Sequence, residues 1–275
     1  MKYIDTHSHL YDDKYTQEER KEVLEEMKKQ DIWTVSISCD QKTCLQALAL
    51  ALENENIYAS VGNHPFDNRK EKFDSEFYQK IVSQNKDQIV CVGECGLDYY
   101  YLKRQIKEGE ITQQDFENDQ KRQFEMFEQH IDFAVKNNLP LMLHVRSYKK
   151  QDAHKDALEI LDKKQKEHNG KIKACFHFFT ENRKIARQIL ERGYYISLPG
   201  VITFADLDLL VAELPLDKIL SETDSPYAAP VPYRGKNNNP VYVKEVVKKI
   251  AEVKGLDQKE CNEQLVKNAK NFFGI

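Results

Sequence analysis

The sequence predicts an α/β fold in one domain, either a TIM-type (β/α)8 barrel or a doubly wound open sheet. Three observations carry this. The 275 residues, 40% of them hydrophobic, can bury one sizeable core. Eight short apolar segments rich in β-branched or aromatic residues recur, most pairs being separated by a charged stretch of helical periodicity. No repeat, low-complexity tract or Gly/Ser-rich linker marks a second domain, so a single domain is expected over 1–275.

The segments are YIDTH, IWTVSIS, IYASVG, IVCVGE, LPLMLHV, KACFHF, YYISL and KILSETD, beginning near Tyr3, Ile32, Ile57, Ile89, Leu139, Lys171, Tyr194 and Lys218. Each crossover must return to start the next strand in the same direction, which builds a parallel sheet. The longest gap separates the fourth and fifth segments. There Tyr101 to Asp119 is polar, carries Lys103, Arg104, Lys107 and several acids, and is expected to be a loop insertion before a helix near Gln120 to Asn137. A cluster of breakers, PYAAPVPYRGKNNNP, follows the eighth segment.

A formal net charge of -4 argues against a broad basic surface that would coat a duplex by counterion release and leaves room for a small local patch, so any nucleic-acid footprint is expected to be short. The six cysteines lie in apolar stretches without CxxC spacing and are expected to be reduced and mostly buried. The amino terminus MKYIDTHSHL has no apolar h-region, and no apolar run approaches the ~20 residues of a membrane span. A cytoplasmic location is expected, or a nuclear one in a eukaryotic cell, with no membrane and no obligate protein partner.

In an extended strand, side chains two apart share a face, so His7 and His9 of DTHSH project together, with Asp5 one repeat earlier. That suits two imidazoles on one metal ion. Glu94 ends segment four, His144 segment five, His177 segment six and Asp224 segment eight. On a barrel these positions converge at one rim, the end where such enzymes keep their sites. His130, His154 and His168 fall in helical stretches or at their ends and have no such placement.

Imidazoles with carboxylates suit zinc, manganese or magnesium, and a carboxylate such as Glu94 can bridge two ions ~4 Å apart that act together on a phosphoryl centre. His64 in GNHP closes segment three, Arg146 shares a strand face with His144, and Arg234 lies after segment eight. A guanidinium suits a phosphate oxygen, though a salt bridge is an equal use for Arg146. Glu222 shares a face with Asp224 and is a ligand, a support for a ligand or a structural acid.

With these motifs in place, the chain resembles the TatD family of metal-dependent deoxyribonucleases, within the amidohydrolase-like barrels. The resemblance runs nearly end to end through DTHSHL, VGNHP, VGECGLDYY, LPLMLHVRS, FHFFT, GYYISLPGVITF, LSETDSPY and PVPYRGKNNNP. It implies the barrel rather than the open sheet. It also implies that His7, His9, Glu94 and Asp224 hold one divalent ion and Glu94, His144 and His177 another. Asp224 would orient or deprotonate the attacking water, with His64 and Arg146 beside the substrate phosphate. The implied activity is hydrolysis of DNA, often from the 3′ end, on single strands or strand ends, with two divalent ions (magnesium, manganese or zinc).

Two departures from the family pattern bear on substrate. Glu181 of HFFTEN stands where such chains usually carry glycine, and Arg104 to Glu117 looks like extra length over the shortest bacterial members, its mixed charge placed to contact a nucleic-acid strand. Rival activities are deamination or amide hydrolysis, for which many related barrels use a carboxylated lysine where this chain has Glu94, and ester cleavage on D-aminoacyl-tRNA. A catalytically silent binding barrel is the remaining alternative, and a missing ligand would mark it. Every position is filled.

Overall fold

The computed structural model describes residues 1–275 except 68 and 150. Its elements run β1 (Tyr3–Ser8), α1 (Gln17–Gln30), β2 (Ile32–Ser36), α2 (Gln41–Glu53), β3 (Ile57–Val61), α3 (Ser75–Gln84) and β4 (Ile89–Asp98). There follow α4 (Tyr100–Lys107), α5 (Gln113–Asn137), β5 (Leu141–Arg146), α6 (Ala153–Glu167), β6 (Ala174–Phe176), α7 (Arg183–Glu191) and β7 (Tyr195–Leu198). The chain ends with α8 (Asp208–Glu213), β8 (Ile219–Ser221), α9 (Val243–Lys254) and α10 (Gln258–Phe273).

The eight strands form one parallel sheet in the order of the sequence. β1 returns to β8, where Asp224 N donates to His7 O at 2.9 Å and His9 N to Ser225 O at 2.7 Å. The result is a TIM-type barrel in a single domain. Strands buried on both faces explain why the segments read as continuous apolar runs.

Local signals set the helix ends. Thr16 and Glu19 make a reciprocal capping box at the start of α1, and Asp31 ends it in a left-handed turn. A cluster of Ile4, Val35, Val90, Met142, Cys175 and Leu220 draws one side chain from each of six strands and so fills the barrel interior, with Phe272 and Phe273 of α10 packed against it. Toward the C-terminal ends of the strands the interior turns polar. There Thr6 meets Ser197 at 3.2 Å and Ser38 meets Ser60 at 3.3 Å.

Two expectations are corrected. The stretch Tyr101 to Asp119, expected as a loop, is helical over most of its length, as α4 and the first turns of α5. A capping box between Thr112 and Asp115 starts α5 at Gln113 rather than near Gln120. Strand four does not end at Glu94 either. It continues to Asp98 because Gly96, Leu97 and Asp98 pair with His144, Val145 and Arg146 of β5. Gly96 permits the close approach: at φ +136°, a Cβ there would lie 2.1 Å from the His144 carbonyl oxygen.

Candidate metal centre

At the C-terminal ends of the strands, Nε2 atoms of His7 and His9 face each other at 3.1 Å. Oε2 of Glu94 lies 3.3 Å from the first and 3.6 Å from the second, and Oδ1 of Asp224 lies 3.6 Å and 3.4 Å from them. Tetrahedral ligands ~2.0–2.1 Å from one ion stand about 3.3 Å apart. The four atoms are thus spaced as ligands of a common cation. The other oxygen of Glu94, Oε1, is 2.8 Å from both His144 Nδ1 and His177 Nε2, and 3.7 Å from His64 Nε2. One carboxylate therefore turns its two oxygens to two different pairs of imidazoles.

Surrounding groups fix how each ring faces. His9 Nδ1 lies 2.9 Å from the Ile37 carbonyl, to which it donates, leaving Nε2 as the lone-pair atom. His144 donates from Nε2 to Asp98 at 2.7 Å, and His177 Nδ1 lies 3.4 Å from Glu222 Oε1. Glu222 is thus a support behind His177, also accepting from the Phe178 N–H at 2.6 Å. Asp5 does not join the cluster. It accepts from the N–H and hydroxyl of Thr223, at 2.8 Å and 2.6 Å, and burial pushes its carboxyl up to about 8.

Burial works against every charge here, and the neighbours overrule it. Burial raises Glu94, yet His177, His64, His7 and His144 hold it well below the usual carboxylate range. Burial lowers His144, yet Asp98 and Glu94 hold it up at about 9. His177 is likewise raised against its burial by Glu94 and Glu222. His7 is the exception, lowered by burial and by His177. Imidazoles pressed this close around carboxylates form a set that divalent cations would hold together in place of protons.

The cluster opens into a cavity of about 590 Å³ lined by His9, His64, Glu94, His144, His177 and Asp224, with Arg146 and Glu181 on its walls. His64 Nδ1 accepts from the backbone N–H groups of Phe66 (3.2 Å) and Asp67 (3.1 Å), with the Asp67 carboxylate 3.2 Å from the same atom. Nδ1 is thus occupied by groups of its own loop, and Nε2 is left facing the cavity, 3.7 Å from Glu94 Oε1. Among the described residues Arg146 has no carboxylate partner, which removes the salt-bridge use. Its guanidinium lies 3.8 Å over the Tyr100 ring. Arg234 does not reach the cavity: it donates to Ala229 O and covers the ring of Phe204.

Asp98 was missed by the sequence reading, and its spacing from Glu94 held the signal. Residues 94, 96 and 98 share one strand face, so an acid at 98 follows Glu94 onto the face of the site. Cys39 was missed too. Its sulfur lies 3.9 Å from Glu94 Oε2 at the edge of the cluster, and nothing in its sequence context set it apart from the five buried cysteines.

A parallel barrel with imidazoles and carboxylates gathered at the C-terminal rim defines a metal-dependent hydrolase. The chain belongs to the TatD-related DNase family, whose model matches residues 4–274. It is 33% identical over 276 residues to YabD of Bacillus subtilis, with 99% of each chain covered. It is 32% identical over 281 residues to YcfH of Escherichia coli K12, covering 100% of this chain and 97% of that one. Both are described as uncharacterized metal-dependent hydrolases. The crystal structure of YJJV, a TatD homologue from Escherichia coli K12, shares the fold with a TM-score of 0.82 at 23% identity, covering 100% of this chain and 98% of that one.

Proposed function

We propose that this hydrolase cleaves phosphodiester bonds in DNA, working from a 3′ end on single strands or frayed ends, with two divalent ions that share Glu94. The observation that carries the reading is the split of the Glu94 carboxylate, Oε2 toward His7 and His9 and Oε1 toward His144 and His177. His7, His9, Glu94 and Asp224 would hold one ion, and Glu94, His144 and His177 the other. Magnesium, manganese and zinc all suit this donor set. Bound there, the ions would supply Lewis acidity and neutralise charge building on the phosphoryl group.

The chain's own groups do the rest. Asp224 borders both His7 and His9 and, kept ionised against its burial chiefly by His9, accepts the proton of the attacking water. Arg146, free of any carboxylate among the described residues, binds a non-bridging phosphate oxygen, and His64 takes another through Nε2. Buried carboxylates at Asp98 and Glu222 keep two imidazoles aimed at Glu94 throughout. Among the described residues no helix is long and apolar enough to cross a membrane. We place the activity in the cytoplasm, or the nucleus in a eukaryotic cell.

The test is digestion of end-labelled single- and double-stranded DNA with magnesium, manganese or zinc, run beside a D-aminoacyl-tRNA. Metal-dependent release of nucleotides from the 3′ end is expected, and a chelator should stop it. Deacylation of the tRNA with DNA left intact would assign ester hydrolysis instead.

A further inference from the structure

One wall of the cavity is aromatic. Tyr101, in α4, lines the cavity with His64 and Arg146. Phe66 stacks against its ring, with centroids 4.9 Å apart and planes 22° apart, so the Tyr101 ring is held in a set orientation. The Arg146 guanidinium lies 3.8 Å from the Tyr100 centroid and 5.2 Å from that of Tyr101. Tyr100 is braced edge-on by Tyr148 at 5.9 Å.

Packing of α4 on the barrel does not account for these rings. Leu102 is the wholly buried anchor of that helix, while Tyr100 and Tyr101 stay half-buried. Of the three cations of α4, Lys103 lies over the Phe116 ring at 3.8 Å and Arg104 pairs with Glu108 at 2.8 Å, and neither these nor Lys107 lines the cavity. This segment therefore offers the cavity aromatic surface rather than charge.

We propose that Tyr101, backed by Phe66, is a nucleobase subsite, on which the base next to the scissile phosphate stacks in place of the Arg146 guanidinium as Arg146 moves off the ring to take that phosphate. The proposal rests on the phosphodiesterase reading and specifies a nucleoside within it. A flat ring of fixed orientation stacks on any base, and each such contact is worth roughly five- to hundredfold in affinity. A chain of net charge -4 gains little from overall attraction to phosphates, so base stacking beside the metal centre adds to the grip. The base must be unstacked from its neighbours to reach the ring, which selects single strands and frayed ends over intact duplex.

The test uses a single-stranded phosphorothioate oligonucleotide ending in 3′ 2-aminopurine, whose fluorescence falls on stacking, titrated with the full chain in manganese. Quenching on binding is expected. Tyr101→Leu should remove the quench and raise Kd roughly tenfold, while Tyr101→Phe, which keeps the ring, should retain it. Binding without quench, quench that persists in Tyr101→Leu, loss of quench in Tyr101→Phe, or no binding at millimolar concentration would each overturn the proposal. Cleavage of a strand whose 3′-terminal nucleotide is abasic separates the two readings. Cleavage of neither the abasic nor the ordinary strand sinks the phosphodiesterase reading, whereas cleavage of both with equal KM sinks the base subsite alone. A KM roughly tenfold higher for the abasic strand supports it.

Discussion

Asp98 Oδ2 accepts a hydrogen bond from His144 Nε2 at 2.7 Å, on the side of the ring opposite Glu94, whose Oε1 lies 2.8 Å from Nδ1. Asp98 is itself wholly buried and is pinned by the Tyr101 N–H at 3.0 Å. An imidazole held this way cannot swing, and a cation that displaced the Nδ1 proton would meet a lone pair already aimed at the centre. Asp98→Asn keeps the shape and loses the charge, so metal affinity should fall about 10- to 100-fold. Competition with a chromogenic chelator measures it. Affinity equal to that of the wild type would remove Asp98 from the support of the centre.

Gly96 lets β4 and β5 approach at the level of the site, and nothing larger fits. A Cβ there would lie 2.1 Å from the His144 carbonyl oxygen, and the backbone φ is +136°. Gly96→Ala should cost at least about 3 kcal/mol of stability through overlap and backbone strain, and should shift His144 out of place. Urea unfolding reports the first effect. Metal titration reports the second.

Arg146 is predicted to act on substrate and not on stability, because among the described residues no carboxylate depends on it. Arg146→Ala should raise KM for an oligonucleotide by roughly tenfold to a hundredfold, the loss of one charge-assisted contact of about 1.5–3 kcal/mol. Arg146→Lys should restore little, since the ammonium neither forks onto two oxygens nor stacks flat on Tyr100. Steady-state kinetics on both variants checks the pair of outcomes. An unchanged KM in Arg146→Ala would take it out of the substrate site.

Two histidines away from the centre should make the fold acid-sensitive. Burial lowers His130 and His154 to about 4 each. His130 is held neutral by donating from Nδ1 to Met126 O at 2.7 Å and accepting the Asn63 N–H on Nε2 at 2.9 Å. The unfolded chain takes up each proton near pH ~6.5 and the folded chain only near 4. Their contribution is therefore intact above ~6.5, and each loses about 1.4 kcal/mol per pH unit as pH falls through that window. Unfolding free energies of the wild type and His130→Gln, measured from pH 7.5 to 4.5, should show a shallower slope in the variant. Equal slopes would contradict it.

Much of the architecture was legible because a parallel barrel writes its strands as apolar runs and its site as polar residues at their ends. His7, His9, His144, His177 and Asp224 each close such a run. Three kinds of feature escaped. Strand four runs on past Glu94 through Gly96, Leu97 and Asp98, a stretch poor in β-branched residues, because β5 supplies its hydrogen bonds. The polar stretch from Tyr101 to Asp119 reads as loop because its surface faces water, although Thr112 and Asp115 spell a helix cap. The support of Asp98 for His144 and of Glu222 for His177 joins residues 46 and 45 positions apart (144 - 98 and 222 - 177). Alternation along the strand puts each acid on the face of the site, but no local pattern says which imidazole it backs.

On the proposed function, Glu94 would join two sets of ligands into one centre for two ions. The most direct measurement is the manganese content of the wild type and of Glu94→Ala, by elemental analysis after equilibrium dialysis across a concentration series. Two ions per wild-type chain, and weakened binding of both in the variant, are expected. A wild type that saturates at one ion, or a Glu94→Ala chain that binds two with undiminished affinity, would contradict that reading.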